Sequence, residues 1–110
     1  MNKSRSKYRA IQTDGYASKL EARRAGELSL LQRSGQISEL KEQVAFVLAP
    51  SVRLLDKKRA RPAMRLIVDF TYKENGSLVL EDAKGFETPM SLAKRHLLKH
   101  VHGLDVRIYK

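Results

Sequence analysis

The first regular pattern along the chain is helical. Leu20, Ala25, Leu28 and Leu31 recur at the three- and four-residue spacing that lines one helix face. Ser18-Lys19-Leu20-Glu21 just ahead of them has the capping-box form, Ser at the N-cap and Glu three residues on. Ser34-Gly35 closes the helix. Residues 37–48 become strand-like towards their end, where Val44, Phe46 and Leu48 alternate, and Pro50 stops the run. Two further strand-like runs, AMRLIVDFTYK at 63–73 and LVLEDAKG at 78–85, flank Glu74-Asn75-Gly76-Ser77. Asn-Gly there predicts a two-residue hairpin loop, because both loop positions need φ > 0. Thr88-Pro89 opens a second helix with Pro at the first helical position. Met90, Ala93, Leu97 and Val101 form its apolar stripe, Gly103 ends it, and LDVRIY at 104–109 reads as a last strand. The order α-β-β-β-α-β, with no internal repeat, predicts a small α/β sandwich: a mixed four-stranded sheet with one helix on each face.

Composition narrows the function classes. The chain has 110 residues, 42% hydrophobic and 31% charged, enough for one modest core. A single domain is expected over 18–110, preceded by a basic arm at 1–17 and interrupted by a basic loop at 51–61. No apolar run reaches the roughly 18 residues of a spanning helix. The opening MNKSRSKYRA lacks the apolar stretch of a secretory signal, and the absence of cysteine fits a reducing compartment, so a cytoplasmic protein that avoids membranes is expected. With no Trp and few aromatics, stacking on single strands is a poor first expectation.

The net charge of +10 is unevenly spread. Lys3, Arg5, Lys7 and Arg9 are unopposed, and Arg53, Lys57, Lys58, Arg59 and Arg61 face only Asp56. Lys94, Arg95 and Lys99 are unopposed on the second helix, whereas residues 62–88 are net acidic. Basic flanks suggest a polyanionic partner. An acidic centre within them needs its own explanation, because carboxylates repel phosphates unless a cation lies between.

The expected turn fixes a register. If Asn75-Gly76 is the loop, Tyr72 faces Val79, Phe70 faces Glu81, and Asp69 faces Asp82. Lys84, two residues past Asp82, shares its side, and Ile67, Thr71 and Leu80 are expected beside them. Directly opposed carboxylates are destabilising. Either a cation sits between them or solvent screens them at the strand end. A hard divalent ion such as Mg²⁺ takes one or two carboxylates together with waters and phosphates, and Asp69 with Asp82 meets that description. Lys84 could orient a water, hold a phosphate oxygen, or simply neutralise the pair. Glu21 lies on the apolar side of its helix, from which it could reach the pair, although the capping box also accounts for it.

These residues, in this order of elements, resemble the PD-(D/E)XK nuclease superfamily. Its signature is a helix Glu, a strand Asp, then Asp or Glu two residues before Lys on the next strand. The matching positions are Glu21, Asp69 and Asp82-Ala83-Lys84. More narrowly, the chain is similar to small phage- and prophage-encoded proteins assigned to that superfamily. The shared stretches include Lys7-Tyr8-Arg9-Ala10, Leu30-Leu31-Gln32-Arg33-Ser34-Gly35-Gln36-Ile37, Val68-Asp69-Phe70, Glu81-Asp82-Ala83-Lys84-Gly85 and Glu87-Thr88-Pro89. The proline of the superfamily's name is replaced by Val68. The resemblance implies a restriction-endonuclease-like core and metal-dependent endonucleolytic hydrolysis of DNA phosphodiesters; duplex and branched DNA both stay open as substrates. It implies that Asp69, Asp82 and the backbone carbonyl of Ala83 ligate Mg²⁺ or Mn²⁺, with Glu21 close by and Lys84 positioning the attacking water. Lys3, Arg5, Lys7, Arg9, Lys57, Lys58, Arg59, Arg61, Lys94, Arg95 and Lys99 would then contact DNA. Strand parity puts Glu81 on the far face beside Phe70, so Glu81→Gln is expected to leave activity intact.

Other features carry less. His96 and His100 share a helix face, but they lack the Glu and third ligand of a zinc site and are expected to join the basic face with His102. Gln43, polar among apolar strand positions, could contact a metal-bound water or DNA, but a solvated strand position is the first expectation. The competing functions are a non-catalytic nucleic-acid-binding module and a nuclease subunit of a recombination or transposition complex. A homodimer would suit paired cuts.

Overall fold

The computed structural model describes residues 15, 16 and 18–110. Lys3, Arg5, Lys7 and Arg9 therefore lie outside the described residues. The element order is α1 (Lys19–Arg33), β1 (Ser38–Ala49), β2 (Met64–Glu74), β3 (Ser77–Ala83), α2 (Pro89–His102) and β4 (Val106–Tyr109). The strands form one four-stranded sheet in the order β1-β2-β3-β4. The first two pairings are antiparallel, and β3 with β4 is parallel, which makes the sheet mixed. This is the expected α/β order. No helix among the described residues is long and apolar enough to cross a membrane.

Local chemistry explains the element ends. The Ser18 hydroxyl accepts the Glu21 N–H at 3.1 Å and starts α1. Thr88 and Ser91 form a reciprocal capping box at α2, and Gly103 closes it at φ 70. Asn75 and Gly76 have φ of 53 and 80, as a two-residue turn of the mirror-image type requires, and Glu74 pairs with Ser77.

Two apolar clusters hold the sheet to its helices. Leu98 of α2 packs with Leu48, Leu66, Val68, Leu80 and Val106. Ala25 and Leu28 of α1 pack with Ile37, Phe70 and Tyr72, and Tyr16 joins from the end of the expected basic arm. Adjacent residues of a regular strand point to opposite faces, so Val68 and Phe70 would share a face. Here they belong to different clusters, and Leu80, which packs with Val68, pairs with Thr71 instead of Phe70. The alternation of β2 therefore changes phase at Asp69. In β1 it changes at Gln43: Leu40 packs in one cluster and Phe46 in the other. The pairs Glu42↔Phe70 and Val44↔Val68 bracket Gln43 and Asp69, and Gln43 has φ 56. Both strands slip together, so pairing resumes in the same register. The slip removes Ile67, which is half exposed, from the face it was expected to share with Thr71 and Leu80.

Candidate active site

The site is built where this slip meets the end of the β2–β3 ladder. The ladder's last pair on this side is Phe70↔Glu81. One residue further on, side chains replace the ladder. The Asp69 N–H donates to Asp82 Oδ1 at 2.8 Å, and the Ala83 N–H donates to Asp69 Oδ2 at 3.1 Å. Each aspartate thus caps the opposite strand's backbone, which satisfies groups that a parted ladder would orphan. The expected juxtaposition of Asp69 and Asp82 is present.

Lys84 Nζ lies 3.8 Å from Asp82 Oδ2, on the side that strand parity gave it. Glu21 is buried in the first turn of α1. Gln43 joins it to the pair: its Nε2 donates to Glu21 Oε2 at 3.0 Å and lies 3.4 Å from Asp69 Oδ1. Gln43 is exposed, as expected of a solvated strand position, and its amide nonetheless reaches both carboxylates, so it joins the site. Its signal in the sequence was a lone amide among alternating apolar residues, and only the positive φ turns it towards Glu21.

Burial pushes the Asp69 carboxyl above the ordinary carboxylate range, and the charge of Asp82 pushes the same way. The Ala83 N–H, the Gln43 amide and Lys84 oppose the shift. An ionised Asp69 is therefore held at a cost that a nearby cation would lower.

Among the described residues, no group of three or more His, Cys, Asp or Glu side chains is drawn together as a metal cage. The donors at this site are the hard oxygens of Asp69 and Asp82, with Glu21 one amide away. Mg²⁺ characteristically takes one or two carboxylates and completes its shell with water and phosphate, so this donor set fits a hard divalent ion. Histidine chemistry does not enter. His96 and His100 are exposed, and His102 Nε2 lies 2.7 Å from the Val47 carbonyl, edge-on to Phe46.

The basic residues divide. Lys57, Lys58, Arg59 and Arg61 stand exposed in the β1–β2 connection. Lys94 borders a groove with Arg65, Ile67, Thr88 and Met90. Lys99 lines a second groove of about 740 Å³ along α2, away from the carboxylates. Arg95 lines that groove too, but its guanidinium is committed to Glu87 at 2.8 Å and to Asp105 at 3.2 Å.

The model of a family described as a protein of unknown function, DUF1064, matches residues 1–108. The chain belongs to the DUF1064 family. No curated protein and no solved structure matches it. The other charged centre of this DUF1064 chain lies on the far side of β3 and was not anticipated. Glu81, fully buried, is gripped by Arg24 through Nε and through Nη2 at 3.0 Å, and it accepts the Tyr72 hydroxyl at 2.7 Å. Arg24 also pairs with Glu27 at 3.0 Å and stacks 4.4 Å above the Tyr109 ring. Burial first, then the Glu81 carboxylate, pushes the Tyr72 hydroxyl up to about 12.

Proposed function

We propose that this family member is a divalent-cation-dependent endonuclease that hydrolyses DNA phosphodiesters, as its resemblance to PD-(D/E)XK nucleases implies. The observation that carries the reading is the opposed pair Asp69–Asp82, maintained within a strongly basic chain, with Lys84 beside it and Glu21 reaching it through Gln43. A pure nucleic-acid binder gains nothing from two opposed carboxylates in its positive field.

Asp69 and Asp82 would hold Mg²⁺ or Mn²⁺, with the Ala83 carbonyl as a further oxygen donor. The ion supplies Lewis acidity to water and charge neutralisation at the phosphate. Lys84 keeps a positive charge beside Asp82 and orients a water for in-line attack. Gln43 fixes the Glu21 and Asp69 carboxylates relative to each other, so the site is assembled before substrate arrives. Lys57, Lys58, Arg59, Arg61, Lys94 and Lys99 provide phosphate contacts, with Lys99 and the β1–β2 connection engaging DNA away from the carboxylates. Such an enzyme acts in the cytoplasm, that of a bacterial host if phage-encoded, and two copies would suit paired cuts.

The test is incubation of the protein with supercoiled plasmid, branched oligonucleotides and RNA, in Mg²⁺, Mn²⁺ or chelator. Cleavage of DNA is expected with either metal and none with chelator. Asp82→Asn should abolish cleavage while DNA binding stays intact or tightens. Its Oδ1 can still accept the Asp69 N–H, so the fold is retained, whereas an amide is a far poorer ligand for a hard cation. Intact metal-dependent cleavage by Asp82→Asn would refute the assignment. DNA binding without any cleavage by the parent chain would favour the binding module.

A further inference from the structure

The β1–β2 connection has a form that the active-site reading does not use. Residues 50–62 are all exposed, yet their backbone is held. Val52 and Arg61 form an antiparallel bridge, with N–H···O distances of 3.3 and 2.6 Å. The Ser51 hydroxyl donates to the Arg61 carbonyl at 2.6 Å, and the Lys57 N–H donates to the Leu54 carbonyl at 3.1 Å. The segment is therefore a short finger closed at its base and turned at its tip. Leu55 is entirely exposed at 105%, beside Leu54 at 44% and Val52 at 49%. Arg53, Lys57, Lys58, Arg59 and Arg61 surround them, against Asp56 alone.

An apolar tip on a basic finger needs a partner that is both anionic and apolar. The apolar groove along α2 of a second copy is lined by Arg95 and Lys99 against Asp105, so it offers a basic finger no net negative charge. Nucleic acid offers phosphates together with base faces. In an intact duplex those faces are stacked, and a leucine reaches them only by parting a step. The penalty is smallest where stacking is already interrupted.

We infer that the 52–61 finger is a wedge for interrupted DNA such as a branch point: Leu55, backed by Leu54, packs on an exposed base face while Lys57, Lys58 and Arg59 hold the flanking phosphates. The inference rests on the nuclease reading for its choice of DNA. Roughly 25 Å of extended chain separates Arg61 from Asp69, so finger and site can engage one DNA molecule at points several base pairs apart.

The experiment compares the parent chain with a Leu54→Ser, Leu55→Ser variant in chelator. Binding to a four-way junction and to a matched linear duplex is followed by anisotropy, and 2-aminopurine at the branch point reports unstacking. Neither leucine belongs to the apolar clusters of the core, so the thermal midpoint should not move. The parent should prefer the junction by roughly tenfold or more, the order expected from covering a leucine, and should brighten the 2-aminopurine. The variant should lose both effects while duplex affinity and plasmid cleavage persist. Retained junction preference in the variant, or none in the parent, overturns the wedge and leaves the nuclease reading standing. Leucine-dependent preference with no metal-dependent cleavage supports the wedge and removes the nuclease. Leucine-dependent binding to phosphatidylglycerol vesicles, or leucine-dependent dimerisation in sedimentation, each without junction preference, overturns it in favour of that other occupant.

Discussion

Gln43 shows how one residue joins backbone conformation to site chemistry. At φ 56 it occupies a region that non-glycine residues enter only at a penalty, on the order of 1 kcal/mol or more. That conformation coincides with the phase slip of β1 and aims the amide between Glu21 and Asp69. Glycine adopts this φ without strain, so Gln43→Gly separates the backbone's need from the side chain's role. The expected outcome is a thermal midpoint that is unchanged or higher, with metal-dependent cleavage well below the parent's. Gln43→Ala, which retains the strain and loses the amide, should fall in both stability and rate. Initial rates on plasmid and thermal melts of the three proteins check this; full activity in Gln43→Gly would mean that the amide does not organise the site.

At the scale of elements, the β2–β3 hairpin was the most readable part of the chain. Asn75-Gly76 admits few turn types, the turn fixes the register, and the register alone brings Asp69 opposite Asp82. The capping residues Ser18, Thr88 and Gly103 marked the helix ends equally well, because each acts on backbone groups within three or four residues. Two features were hidden because they depend on contacts between distant segments. The paired slip at Gln43 and Asp69 conserves the register and leaves no insertion to read. The Arg24–Glu81 pair joins residues 57 apart in sequence. Parity correctly placed Glu81 away from the acidic pair, but it could not reveal that Glu81 is fully buried and paired. Glu81→Gln is thus no innocuous control. It strips the buried partner charge from Arg24 on the side that packs α1 against the sheet, leaving only the partly exposed Glu27, and breaking a buried pair at one end costs on the order of 3 kcal/mol. Urea denaturation should show a clearly lower midpoint for Glu81→Gln. Metal-dependent cleavage per folded molecule should persist below that midpoint, because the Asp69–Asp82 contacts do not involve this carboxylate.

For the whole molecule the governing quantity is charge. A chain of net charge +10 attracts polyanions at long range, yet the groups assigned to the proposed reaction include the acids Glu21, Asp69 and Asp82. Sequence counts of charge locate the basic regions, but they do not tell free cations from committed ones: Arg95 is tied to Glu87 and Asp105, whereas Lys57, Lys58 and Arg59 stand open to solvent. Lys57 does approach Asp56 at 3.6 Å, but both side chains are well exposed, and such a pair competes weakly with a phosphate. Phosphate contacts release counterions, and each one adds roughly 0.9 to the slope of log affinity against log salt on duplex DNA. Replacing Lys57, Lys58 and Arg59 together by Ala should therefore weaken duplex binding and flatten that slope by up to about 2.7. The three side chains leave no cavity, so the melt should be unaffected, and Arg95→Ala should disturb stability more than the slope. Anisotropy titrations across a salt series distinguish the cases. An unchanged slope in the triple variant would place the DNA elsewhere on the surface, and it would remove the wedge's phosphate grip along with the loop's role in binding.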